Sequence, residues 1–119
     1  PRRARVTTLK WGDAVIVALP GEIFAETALE IRKSLAHEDP LFILAYADDN
    51  LGYVPPESDY SRGGYEIDEA HRFYGLGATV APRTAEHLAQ AGCKSAKMAR
   101  VLAAQTQPTK IRVTQGGKS

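Results

Sequence analysis

Ala14-Val15-Ile16-Val17-Ala18-Leu19 and Leu41-Phe42-Ile43-Leu44-Ala45-Tyr46 are two apolar runs of strand length, and the residues between them carry a helical pattern. β-Branched side chains and the lack of polar alternation predict strands buried on both faces. Pro20-Gly21 breaks the first run, and a helix is expected from about Ile23 to Leu35. Phe24, Ala28, Ile31 and Leu35 fall on one stripe, while Glu26, Glu30, Arg32 and Lys33 cover the rest. The helix should end in His37-Glu38-Asp39-Pro40, because the residue before a proline is pushed out of the α region. Strand, helix and strand with short joints predict a βαβ unit with parallel strands.

Working outward, Arg5 to Leu9 alternates weakly, and Trp11-Gly12-Asp13 reads as the turn of a hairpin whose second strand is the first apolar run. The expected fold class is therefore α/β: a βαβ unit in a mixed sheet flanked by helices, part of a larger layered domain. Downstream, residues 48–82 are irregular and hold Pro55-Pro56, Gly63-Gly64, Gly75 and Gly77. They also hold Tyr53, Tyr60, Tyr65 and Tyr74, too many aromatics for a disordered segment. Short helical turns are expected near Ser58 and from Ile67 to Phe73. A long helix follows from Arg83 to Ala104, interrupted at Gly92 and capped by Thr84, then an edge strand from Lys110 to Thr114. No internal repeat or linker divides the chain, so residues 1–119 form one domain or a fragment of one.

The 119 residues are 44% apolar with a net charge of +1. That balance offers no electrostatic surface for nucleic acid or anionic lipid. No apolar run reaches membrane-spanning length, so no transmembrane segment is expected, and no signal peptide is visible. The single Cys93 excludes an internal disulfide and leaves the compartment open. The first residue is Pro1, so the chain is expected to start after processing or within a longer gene product.

In parallel α/β sheets, chemistry gathers at the carboxyl ends of the strands. Gly21-Glu22 and the segment from Ala47 to Tyr53 both leave that edge. Glu22, expected to open a helix, is either a metal-binding or proton-accepting carboxylate or an ordinary charge at a helix N-terminus. Asp48-Asp49-Asn50 reads as an Asx-rich turn brought toward Glu22. Tyr53 is either a phenolate ligand or a packing residue.

Leu19-Pro20-Gly21-Glu22-Ile23-Phe24, then Asn50-Leu51-Gly52-Tyr53-Val54-Pro55, Tyr60, Tyr65-Glu66 and Tyr74-Gly75 follow one another in an order that resembles the neutral (non-lysosomal) ceramidase family. The resemblance covers about residues 5 to 90 and corresponds to the C-terminal part of that family's catalytic domain. It implies Glu22 and Tyr53 as ligands of Zn2+, with water activated by the metal attacking an N-acyl amide, a sphingolipid-like bond in characterised members. It also implies that Asn50 orients the site and that Tyr60 and Tyr65 wall the substrate pocket. The family's two zinc histidines and its active-site serine lie upstream of Pro-Gly-Glu, in segments this sequence does not contain. The stretch between Glu22 and Tyr53 is also shorter than in characterised ceramidases. His37, His71 and His87 match no ligand position and read as surface or packing residues. Cys93 is a soft ligand or a small packed residue, and Arg62 and Arg72 are anion contacts or surface charges.

Two functions follow. In the first, the chain is part of a zinc-dependent amide hydrolase whose remaining ligands come from an upstream catalytic segment or partner chain. Two protein ligands are too few for a stable zinc site, so the chain alone should be inactive. In the second, it is a non-catalytic ceramidase-like module that assembles with another chain, because a strand apolar throughout needs cover on two faces.

Overall fold

The computed structural model describes residues 3–36 and 40–106. The predicted hairpin is present as β1 (Thr7–Trp11) and β2 (Ala14–Ala18), antiparallel, with Leu9 opposite Ile16 and Trp11 opposite Ala14. Gly12 makes the turn possible with a φ of 57°, a region that favours glycine. A short strand, β3 (Glu22–Ile23), precedes helix α1 (Ala25–Ser34), and β4 (Leu41–Leu44) follows it. Strand β4 pairs parallel with β2, placing Ile16 beside Phe42 and Ala18 beside Leu44. The sheet is therefore mixed, in the order β1-β2-β4, as the βαβ reading requires. Farther on come β5 (Tyr53–Val54), a 3-10 turn at Glu57–Asp59, a π turn at Tyr65–Glu69 and a 3-10 turn at Ala70–Tyr74. Helix α2 (Thr84–Gln105) closes the described chain.

Both helices lie on one face of the sheet. Val15, Val17 and Leu19 point into that layer with no exposed surface, and Ile31 of α1 and Leu88 and Ala96 of α2 meet them there. Each fully buried aliphatic side chain contributes roughly 1.5–3 kcal/mol relative to an exposed one. Gly92 does not interrupt α2, contrary to the sequence reading. A Cβ there would stand 3.0 Å from Val17 Cγ1, so the missing side chain lets an unbroken helix lie close against β2.

The other face of the sheet is different. Leu9, Trp11, Phe42 and Leu44 all project from it, between 48% and 75% exposed. The prediction that both apolar strands are buried on two faces therefore holds for one face only. Strand β4 alternates half-buried and exposed along its length, since among the described residues no element lies over its outer side.

Thr84 does not cap α2 either. Arg83 occupies the N-cap position with a φ of 70°, and Thr84 Oγ1 donates to Ala81 O at 2.6 Å. Helix α1 already ends at Ser34 with Leu35 as its C-cap, ahead of the expected stop at His37-Glu38-Asp39, which together with the expected strand from Lys110 to Thr114 lies outside the described residues.

Candidate functional site

Glu22 does not open α1. The first turn of that helix carries Glu26 instead, and Glu22 belongs to β3, where its backbone N–H donates to Gly52 O at 2.8 Å. Pairing with β5 takes up the backbone groups that a helix would have used. The helix-terminus argument for keeping Glu22 ionised therefore does not apply. What replaces it is register: β3 and β5 run parallel, with Glu22 beside Tyr53 and Ile23 beside Val54. Register partners on neighbouring strands, ~4.8 Å apart, send their side chains to the same face. The carboxylate and the phenol thus leave the backbone together.

Two glycines permit this approach. Gly21 has a φ of 79°, and a Cβ on it would lie 2.7 Å from Gly52 O. Gly52 has a φ of 72°, and a Cβ there would press on the Tyr74 ring at 3.2 Å. Asn50 Oδ1 accepts from the Gly52 N–H at 2.9 Å, an Asx turn that delivers Tyr53 into β5. Asn50 is exposed, and this backbone bond is its described contact with the site.

Around Glu22 the tyrosines converge. Tyr74 Oη donates to Glu22 Oε2 at 3.2 Å. The phenols of Tyr46 and Tyr53 lie close enough to the same carboxylate to be raised by it, and Tyr74 is the one that closes a hydrogen bond of good geometry. The ring of Tyr53 is the hub, with edge-to-face contacts to Phe24 (6.2 Å), Tyr65 (6.1 Å) and Tyr74 (6.2 Å). Beyond Tyr65 the strip continues to Phe73, 6.2 Å away and largely exposed. Such edge contacts suit the positive rim and negative face of aromatic rings.

The chemistry of these groups follows from their neighbours. The hydrogen bond to Glu22, then burial, then the Glu22 charge push the Tyr46 phenol up to about 12. Burial first, then the carboxylate charge, raise Tyr53, and burial followed by its bond to Glu22 raises Tyr74. All three therefore hold their protons at neutral pH in the free chain. Among the described residues no cation pairs with Glu22. The site is a half-buried carboxylate that accepts from the Tyr74 phenol, with the Tyr46 and Tyr53 phenols beside it.

Tyr65 touches the hub, whereas Tyr60 is turned elsewhere: its phenol donates to Val80 O at 2.7 Å. Arg62 faces Asp59 at 3.6 Å, and Arg72 is exposed. His87 is exposed on α2, His71 lies in the 3-10 turn, and His37 falls outside the described residues. Cys93 packs on the edge of the core, and burial raises its thiol. Among the described residues no three of the His, Cys, Asp and Glu side chains gather closely enough to hold a metal. The oxygen donors that do gather are one carboxylate and its phenols. Tyr46 and Tyr74 were not assigned to the site from sequence. The signal for Tyr46 is its place at the carboxyl end of the second apolar run, on the same edge as Glu22.

Searches for related proteins leave the geometry to stand alone: no family model, no curated protein and no solved structure matches the chain. No described helix is long and apolar enough to cross a membrane.

Proposed function

We propose that the chain is part of a zinc-dependent amide hydrolase of the neutral-ceramidase kind. The observation that carries this is the register pairing of Glu22 with Tyr53. A carboxylate and a phenol leaving adjacent strands on one face make half of an oxygen-donor metal site, and both residues match the resemblance drawn from Pro-Gly-Glu and Asn-x-x-x-Tyr. Zinc bound there would supply a Lewis acid that activates water toward an N-acyl amide. The chain's own residues do the rest. Glu22 and Tyr53 offer the oxygens, Tyr74 orients the carboxylate, and Tyr65 with Phe73 gives an apolar wall beside it. The remaining ligands come from a segment outside this sequence, supplied upstream or by a partner chain, because zinc sites use three or four protein ligands.

The test compares the 119-residue chain with the same chain joined to that segment. The joined protein is expected to hold zinc and cleave an N-acyl sphingoid amide, while the chain alone does neither at measurable rates. In the joined protein, Glu22→Gln and Tyr53→Phe are each expected to keep the fold and weaken zinc retention about a hundredfold. Unchanged zinc content in either variant removes that residue from the ligand set.

A second reading, a non-catalytic module for assembly, is favoured by the open apolar sheet face bearing Leu9, Trp11, Phe42 and Leu44. Gel filtration with metal analysis separates the two. Zinc that appears only with the partner supports the hydrolase, and a partner complex without zinc supports the module.

A further inference from the structure

The open face of the mixed sheet has relief as well as apolarity. Register sets Leu9, Ile16 and Phe42 in one row across the three strands, with Ala18 beside Leu44 in the row on one side and Ala14 beside Trp11 in the row on the other. Row partners share a face. The outer strands β1 and β4 therefore present large side chains there, while the central strand β2 presents two alanines and one isoleucine. None of these residues carries a charge. Trp11 is 75% exposed and Leu9, Phe42 and Leu44 are about half exposed, whereas Ala14, Ile16 and Ala18 are half-buried between them. The result is a trough along β2, walled by Leu9 and Trp11 on one side and by Phe42 and Leu44 on the other. Its walls rise from strands about 10 Å apart, twice the strand spacing. An α-helix with its side chains is about 10 Å across.

We propose that this trough seats one amphipathic α-helix of a partner polypeptide, lying along β2 with its apolar stripe against Ala14, Ile16 and Ala18. The proposal gives the assembly reading its occupant and rests on that reading, and it needs no metal at Glu22. Area and shape both disfavour a second copy of the chain in this place. The face measures roughly 250 Å2 in plan. Even doubled for its relief, that falls short of the ~800 Å2 that each side of a stable complex buries. Two copies would also set wall on wall and leave a void over each Ala18, where packed interiors leave none. Copies therefore meet weakly, and only as concentration rises. A convex helix fills the same hollow. Parallel pairs such as β2 and β4 are ordinarily covered by helices on both faces, and α1 and α2 cover only one. A single helix buries too little to hold itself there, so it belongs to a body that makes further contacts.

The experiment uses the full chain with a helix tethered before Pro1 by a glycine-serine linker of about 20 residues, which spans roughly 25 Å and holds the helix at millimolar effective concentration. The helix carries leucine at i, i+3, i+4 and i+7 with glutamate and lysine elsewhere, and a control reorders the same residues so that no stripe forms. Trp11 is the only tryptophan of the chain and stands on the wall of the trough, so its emission reports occupancy. A blue shift is expected with the striped helix and none with the control, together with loss of the parent's concentration-dependent association. Ala18→Phe fills the trough but keeps it apolar, and is expected to abolish the shift, measured against the same variant without the helix. Ala14→Phe fills the other end and stands in if Ala18→Phe lowers the melting temperature. No shift with the striped helix overturns the proposal. An equal shift with the control, or one that survives in both variants, overturns it in favour of indiscriminate apolar contact. A parent chain that stays dimeric on dilution to nanomolar concentration overturns the helix in favour of a second copy and leaves the assembly reading standing.

Discussion

At the scale of single residues, the site depends on how closely two turns can approach. Gly21 is the tightest point, combining a φ of 79° with the 2.7 Å clash that a Cβ would make with Gly52 O. Gly21→Ala is expected to destabilise the fold by ~2 kcal/mol or more, read as a shift of the urea midpoint, because neither the backbone angle nor the neighbouring carbonyl can yield cheaply. A second expectation concerns alkali. Tyr46 sits at about 12 in the fold against an ordinary 10.0. The folded phenol holds its proton longer than the unfolded one, so the stabilisation is whole below pH 10 and is lost as pH climbs from 10 toward 12. The urea midpoint should therefore fall across that window, and fall less in Tyr46→Phe. An identical fall in both proteins would show that the Glu22–Tyr46 contact carries none of it. The turn after the first apolar run marked the place of Glu22, while Tyr53 was singled out by the family resemblance rather than by any pattern of its own. Tyr46 and Tyr74 were not legible as site residues, since nothing in an apolar run reveals the left-handed φ of Tyr46 and nothing in a long loop reveals which phenol folds back on which carboxylate.

At the scale of elements, the hairpin, the parallel β2–β4 pair and both helices follow from periodicity, and each was found within a few residues of its expected bounds. Two features escaped that reading for physical reasons. β3 and β5 are two residues each, too short for any pattern, and exist only because the Gly21 and Gly52 turns bring them together. Gly92 looked like a break in α2 because glycine is a poor helix former, but its lack of a side chain is what seats the helix against Val17. Gly92→Ala gains helix propensity of ~1 kcal/mol yet meets Val17 Cγ1 at 3.0 Å, so a net loss of about 1 kcal/mol is expected. Combining Gly92→Ala with Val17→Ala should cost less than the two single changes added together, which a double-mutant cycle in urea measures.

At the scale of the whole molecule, one face of the mixed sheet is packed by α1 and α2, and the other carries Leu9, Trp11, Phe42 and Leu44 toward solvent. Contiguous apolar surface of this kind favours association. Phe42→Lys should reduce concentration-dependent association on gel filtration while changing stability by no more than ~0.5 kcal/mol, as expected for an exposed position. Equal association by parent and variant would mean that contact is made elsewhere. A different consequence belongs to the two-rung ladder joining β3 to β5. So few rungs should separate in brief local openings well before the helices loosen, and each opening parts both candidate ligands at once. Anything bridging the two strands would then work as a clasp, its grip visible as slower amide hydrogen exchange at Glu22 and Val54 while the protection of α2 stays as it was.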